Sequence, residues 1–124
     1  MQYLPVCLQL RDSPVVLVGA GTVATRKARL LLKAGANLTV VAPEITAELQ
    51  QLLAEHGGNW QCSEYRESDL HGRVLVIAAT PFAAVNEQVH RDATALNLPV
   101  NVVDSPELCT FIFPSIVDRD PLII

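Results

Sequence analysis

Val15-Val16-Leu17-Val18-Gly19-Ala20-Gly21-Thr22-Val23-Ala24 runs from a short β-branched stretch, through two glycines, into an uninterrupted helix-forming segment from Thr25 to Ala34. Strand, tight turn and helix in this order are the context in which G-x-G-x-x-G/A acts as a dinucleotide fingerprint. Gly19 lets the chain turn sharply out of the strand, and Gly21 leaves no Cβ in the way of a pyrophosphate. Ala24 stands in the third glycine's place and is still small enough for the helix to lie close on the strand. The helix then aims its unpaired N–H groups and its positive dipole end at an anion over the turn.

Working outward, the spacing of apolar residues predicts an alternation of strands and helices. Val15 to Val18 suits a parallel strand covered on both faces. Val23 to Lys33 reads as a helix with Ala24, Ala28, Leu31 and Leu32 on its buried side and Gly35 as its C-terminal cap. Leu38 to Ala42 is the second strand, stopped by Pro43, which cannot donate to a ladder. Thr46 to Glu55 reads as a helix with Thr46 as N-cap, and Asn59 to Cys62 as a weaker third strand. Ser63 to Gly72 is a polar connection. Val74 to Ala78 is a clear strand with Ala79-Thr80-Pro81 as its exit turn. Ala83 to Leu96 is the next helix, carrying Val85, Val89 and Ala93 on one face, and Val100 to Val103 is a fifth strand ending at Asp104-Ser105-Pro106. Upstream, Leu4 to Leu10 is expected to add an edge or lead-in strand. Downstream, Thr110 to Phe113 is a sixth apolar segment. The predicted fold is α/β, Rossmann-like and doubly wound, a mostly parallel sheet with helices on both faces.

The chain's 124 residues, half of them hydrophobic, make one domain's worth of core, residues 1–124. A net charge of −4 argues against nucleic acid as a partner, because phosphate contacts need clustered Lys and Arg. The basic residues are scattered except for Arg26, Lys27 and Arg29. No apolar run reaches the roughly 18 residues that span a bilayer, so no membrane partner is expected. Cys7, Cys62 and Cys109 are an odd number without a C-x-x-C pair and read as reduced core thiols of a cytoplasmic protein. His56, His71 and His90 show no ligand spacing, and no metal cage is expected. A polar turn at Asp118-Arg119-Asp120-Pro121 leads into Leu122-Ile123-Ile124, where a domain's terminus normally frays into polar residues. A fragment of a longer protein is therefore expected.

In an open parallel sheet the ligand lies outside the carboxyl ends of the strands, where strand order reverses. The expected wall is Gly19 to Val23, Ala42 to Glu44, Ala78 to Pro81 and Asn101 to Asp104. Thr22 and Val23 would meet the pyrophosphate with backbone N–H groups, while Ala79 and Thr80 would run under the cofactor's far half. NAD sites usually place a carboxylate near the end of the second strand to accept from the ribose hydroxyls. Glu44 is the acid there, two residues late, so the contact could equally come from the backbone at Pro43. Glu44 could also simply cap the helix starting near Thr46. No Arg or Lys follows the second strand to hold a 2′-phosphate, which favours NAD over NADP. Asp104, closing the fifth strand, lies near the expected nicotinamide position, where a partly dry cleft suits general-base work. An Asp before Ser-Pro is also a common turn former.

Taken together, Tyr3-Leu4-Pro5, Gly19 to Ala28, Ala78-Ala79-Thr80, Asn101-Val102-Val103-Asp104 and Phe111-Ile112-Phe113-Pro114-Ser115 resemble the N-terminal dinucleotide-binding domain of the siroheme synthase family of precorrin-2 dehydrogenases and sirohydrochlorin ferrochelatases. The G-x-G-x-V-A-x-R-K-A and N-V-V-D runs are far more specific than a glycine fingerprint. The resemblance implies NAD-dependent oxidation of precorrin-2 to sirohydrochlorin, followed in bifunctional members by insertion of ferrous iron to give siroheme.

Carried over by position, the resemblance makes Asp104 the acid or base for both steps, Thr22, Val23, Pro43 and Glu44 contacts to NAD, and Asn101 a substrate contact. One carboxylate can serve twice, since dehydrogenation and metallation both release protons beside the macrocycle. Arg26, Lys27 and Arg29 could hold substrate carboxylates, although such a run is commonly a helix's solvated face. Family members continue into a helical segment that dimerises and closes the tetrapyrrole cleft, so the intact protein is expected to be a homodimer. Two other readings stay open: an NAD-sensing regulatory domain without catalysis, which would place an acid at the end of the second strand where Ala42 and Pro43 stand, and a different small dehydrogenase shorn of its substrate domain.

Overall fold

The computed structural model describes residues 2–114, and the expectations for Asp118 to Ile124 lie outside them. Five strands, β1 (Pro14–Val18), β2 (Asn37–Ala42), β3 (Asn59–Cys62), β4 (Leu75–Ala78) and β5 (Val100–Val102), form one sheet in the order β3-β2-β1-β4-β5. Every pairing is parallel. The order reverses beside β1, so the expected switch point falls at the carboxyl end of Val18, where the glycine turn begins.

Three helices cover the sheet: α1 (Thr22–Lys33), α2 (Ala47–His56) and α3 (Ala83–Ala95). Alternation along the strands divides the core. Val15 and Leu17 of β1 point to one face with Leu38, Val40 and Ile77, under Ala24, Ala28 and Leu31 of α1 and Leu49 and Leu53 of α2. Val16 and Val18 point to the other with Val76, Val100 and Val102, under Val89 and Ala93 of α3. All four β1 residues from Val15 to Val18 are buried, which is why this strand reads as continuously apolar. A doubly wound sheet with helices on both faces is what the sequence predicts.

Local signals set the helix ends. Thr46 accepts from Leu49 N at 3.1 Å and caps α2 as expected. Past α1, Gly35 takes φ +83°, Ala36 N donates to Leu31 O at 3.1 Å and Gly35 N to Leu32 O at 3.0 Å. This paired closure satisfies carbonyls that the helix end would leave open.

Leu4 to Leu10 forms no strand. The sheet's edges are β3 and β5, and this segment pairs with neither, so it stays outside the sheet. Leu4, Val6 and Leu8 are exposed, and only Leu10 packs against the core. Thr110 to Phe113 is also irregular, held to β5 by Thr110 N donating to Val100 O at 2.8 Å. Ser63 to Gly72 carries more structure than a polar connection suggests: a 3₁₀ turn, Glu67–Leu70, buries Leu70 and Asp69. The cysteines depart from expectation, since Cys7 and Cys62 are exposed and Cys109 is half-buried.

Candidate active site: two clefts beside the glycine turn

Gly19 takes φ +119°, and a Cβ there would stand 2.4 Å from the Ala79 carbonyl oxygen. A glycine is therefore required twice, for the backbone angle and for the close passage of the turn over β4's exit. Gly21 differs: a Cβ built on it meets nothing within 4 Å. The space above it is open, and it is the N-cap of α1.

The first helical bond runs from Thr25 N to Gly21 O at 2.9 Å, leaving the N–H groups of Thr22, Val23 and Ala24 without partners inside the helix. The first turn of α1 carries no acidic residue, so nothing in it neutralises the dipole's positive end. Open space above a bare backbone, at the tip of a helix of 12 residues, fits a diphosphate.

On one side of this turn lies a cleft of about 800 Å³, within the range of small-molecule sites. Gly19, Gly21, Pro43, Glu44 and Thr80, all expected at the cofactor, are brought together in its lining. Among the described residues, the charged side chains that line it are Glu44 and Glu64, with no Lys or Arg. Thr80 is tied down by Asn86: Thr80 N and Oγ1 donate to Asn86 Oδ1 at 3.2 and 2.7 Å, while Asn86 Nδ2 donates back to Thr80 O at 3.0 Å. Ala79 does not line the cleft; it is the floor beneath Gly19.

Several contributors escaped sequence reasoning, Phe82, Glu64, Tyr65 and Gln88 among them. Phe82 stands 65% exposed at the cleft's edge, and the aromatic after the Thr80-Pro81 exit turn was the available signal. Glu64 and Tyr65 come from the connection after β3, where no periodic pattern exists to place them. The Tyr65 hydroxyl donates to Asp92 Oδ2 at 2.6 Å. Burial, then this bond and then the nearby carboxylate charges push the phenol's pKa well above its ordinary range, so the group stays a donor.

On the other side lies a second cleft of about 600 Å³, lined by Val23, Arg26 and Lys27 of α1 and by Asn101 to Pro106. Val23 and Asp104 thus share a wall that the glycine loop's other residues do not reach. Asp104 is exposed and sits at φ +61°, a left-handed backbone that Asp tolerates better than most residues. Asn101 is placed in the same lining, but its side chain is buried and its Nδ2 donates to Phe111 O at 3.0 Å. Its amide nitrogen therefore ties the 109–113 segment to β5. Thr22 lines neither cleft, and its N–H is one of the three that α1 leaves without a helical partner at the turn.

The basic run divides. Arg29 pairs with Glu48 of α2, away from the second cleft, whereas Arg26 and Lys27 face it, with Lys27 Nζ 4.4 Å from the Phe113 ring centroid. Among the described residues no helix is long and apolar enough to cross a membrane.

A family model described as "Putative NAD(P)-binding" matches residues 6–115. The chain belongs to this NAD(P)-binding family. It is 54% identical over 124 residues to the siroheme synthase of Methylobacillus flagellatus and 55% to that of Pseudomonas fluorescens, covering all of this chain and 27% of each of those proteins. The chain thus spans about a quarter of the length of the curated relatives it matches. Among solved structures it is similar to SirC, a precorrin-2 dehydrogenase, with a TM-score of 0.82 and 29% identity over 98% of this chain and 60% of that one. The resemblance drawn from the sequence and the Rossmann-like fold both hold, and a nicotinamide dinucleotide is the cofactor class.

Proposed function

We propose that this chain is the dinucleotide-binding domain of an NAD-dependent dehydrogenase that converts precorrin-2 to sirohydrochlorin, with ferrochelation to siroheme as a second step. The observation that carries this reading is the pair of clefts on either side of one glycine turn: an acidic one suited to an adenosine half, and one where Asp104 faces two basic side chains. Siroheme synthases and a precorrin-2 dehydrogenase as relatives support the substrate class.

Gly19 and Gly21, with the N–H groups of Thr22 and Val23, hold the diphosphate. Pro43 and Glu44 receive the adenosine ribose, and Thr80 lines the path between. Glu44 and Glu64 would repel a 2′-phosphate, and among the described residues no Lys or Arg lines this cleft to offset them, which favours NAD over NADP. NAD, when bound, supplies a two-electron acceptor at its nicotinamide ring. Asp104 accepts the proton that leaves the macrocycle in the same oxidation, which gives sirohydrochlorin, NADH and H⁺. With ferrous iron as substrate, the same carboxylate accepts pyrrole protons as the metal enters, the macrocycle providing the nitrogens. Arg26 and Lys27 hold substrate carboxylates at the mouth of the second cleft, and Asn101 acts by fixing the wall that carries Asp104.

In this reading residues 1–124 are one domain of a longer protein, as the 27% coverage of the siroheme synthases supports, and that protein is cytoplasmic and works as a homodimer. The test is to supply precorrin-2 and NAD to the protein carrying this domain and follow sirohydrochlorin and NADH by absorbance. Stoichiometric appearance of both supports the reading. NAD binding without turnover would favour a sensing module instead.

A further inference from the structure

The connection from Ser63 to Leu70 enters the wall of the first cleft and is then stapled in place. Inside it, Asp69 accepts from Gln61 Nε2 at 2.7 Å and from Arg66 N at 2.8 Å, and Leu70 plugs the core beneath α3. Across the cleft's outer end, Tyr65 reaches α3, donating to Asp92 Oδ2 at 2.6 Å. Asp92 Oδ1 accepts from Gln88 Nε2 at 2.8 Å, and Gln88 and Tyr65 both line the cleft. Tyr65 is half-buried against the same core that seats Val89.

The end of the cleft that holds Glu44 and Glu64 is the adenosine end, because β2's carboxyl terminus meets the ribose in this fold. Its far wall comes from a segment without regular structure apart from one 3₁₀ turn, which could not hold a fixed distance from α3 unaided. We infer that Tyr65, clasped to Asp92, is a positioning residue that sets the wall of the adenosine end and so selects for the adenine nucleotide half of the cofactor. This rests on the dinucleotide reading above. The clasp acts before binding, so it lowers the ordering cost of the bound state instead of adding a contact to it.

The experiment compares dissociation constants for NAD, ADP and nicotinamide mononucleotide in the full chain and in Tyr65→Phe, Asp92→Ala, Asp92→Asn and the Tyr65→Phe/Asp92→Ala pair. Tyr65→Phe keeps the ring and removes the clasp. It should weaken NAD and ADP alike by about three- to tenfold, the range of one net hydrogen bond. Nicotinamide mononucleotide should be unaffected. Asp92→Ala should match Tyr65→Phe, the double variant should be no worse than either, and Asp92→Asn, which still accepts from the phenol, should retain affinity. Unchanged NAD and ADP binding in Tyr65→Phe and Asp92→Ala, or equal weakening of all three ligands, overturns the inference while leaving the dinucleotide reading intact. Failure of the unaltered chain to bind NAD removes that reading and this one together.

Discussion

Gly19 passes so close over Ala79 that a Cβ would stand 2.4 Å from its carbonyl oxygen, whereas two residues on the same addition at Gly21 meets open space. The two glycines of one fingerprint therefore stand under different constraints, one demanded by the fold and one left free by it.

Gly19→Ala combines backbone strain with a backbone clash and should cost several kcal/mol, on the order of a severe core lesion. Gly21→Ala should cost only about 1 kcal/mol, the price of a poorer N-cap, yet place a methyl group in the open space proposed for the diphosphate. Thermal unfolding and calorimetric titration with NAD separate the two: Gly19→Ala loses stability first, Gly21→Ala loses affinity with the fold retained.

Asp104 holds a left-handed backbone at φ +61°, and Asn is the replacement that best tolerates it. Asp104→Asn should keep the melting temperature and NAD affinity and lower sirohydrochlorin formation by about 10²- to 10⁴-fold, the size of a general-base contribution. Unchanged steady-state turnover refutes Asp104 as the base. Asp104→Ala should add a stability loss of about 1 kcal/mol from strain.

Asn101→Ala removes a buried donor to Phe111 O and leaves that carbonyl short of a partner. A loss of about 1–3 kcal/mol is expected. It should appear as a lower melting temperature and faster amide exchange across residues 109–113, with NAD affinity held.

The raised pKa of Tyr65 makes its clasp a pH-dependent contribution. The folded state holds the phenolic proton more tightly than the unfolded chain, whose tyrosine ionises near pH 10. The stabilisation is complete below that value and declines as the pH rises above it, toward the higher pKa of the folded state. Denaturant melts of the unaltered protein and Tyr65→Phe should therefore converge in strongly alkaline buffer. A constant gap between them from neutral to alkaline pH contradicts the linkage.

Much of this architecture was legible because its signals are short in range. Thr46 as a cap, Gly35 past α1 and the buried stripe of Ala24, Ala28, Leu31 and Leu32 each depend on residues within a turn or two of one another. The strand expected from the apolar stretch Leu4 to Leu10 is absent, since apolar residues form a strand only when the segment pairs with a neighbour, and this one joins neither edge of the sheet. Tyr65 and Asp92 were missed because they lie 27 residues apart, in segments whose local patterns say nothing of each other.

By itself the sequence determined the order of the five strands and three helices, most of the apolar residues buried between them, and the place of the glycine turn. Those follow from backbone sterics and hydrophobic periodicity, which act over a few neighbouring residues. Tertiary structure alone decided that Val23 and Asp104 face one cleft while Glu44, Glu64 and Thr80 face another, and that the amide nitrogen of Asn101 is committed to Phe111. Strand order and the crossing of helices over the sheet bring distant residues to common walls, and no short-range rule encodes which pairs will meet.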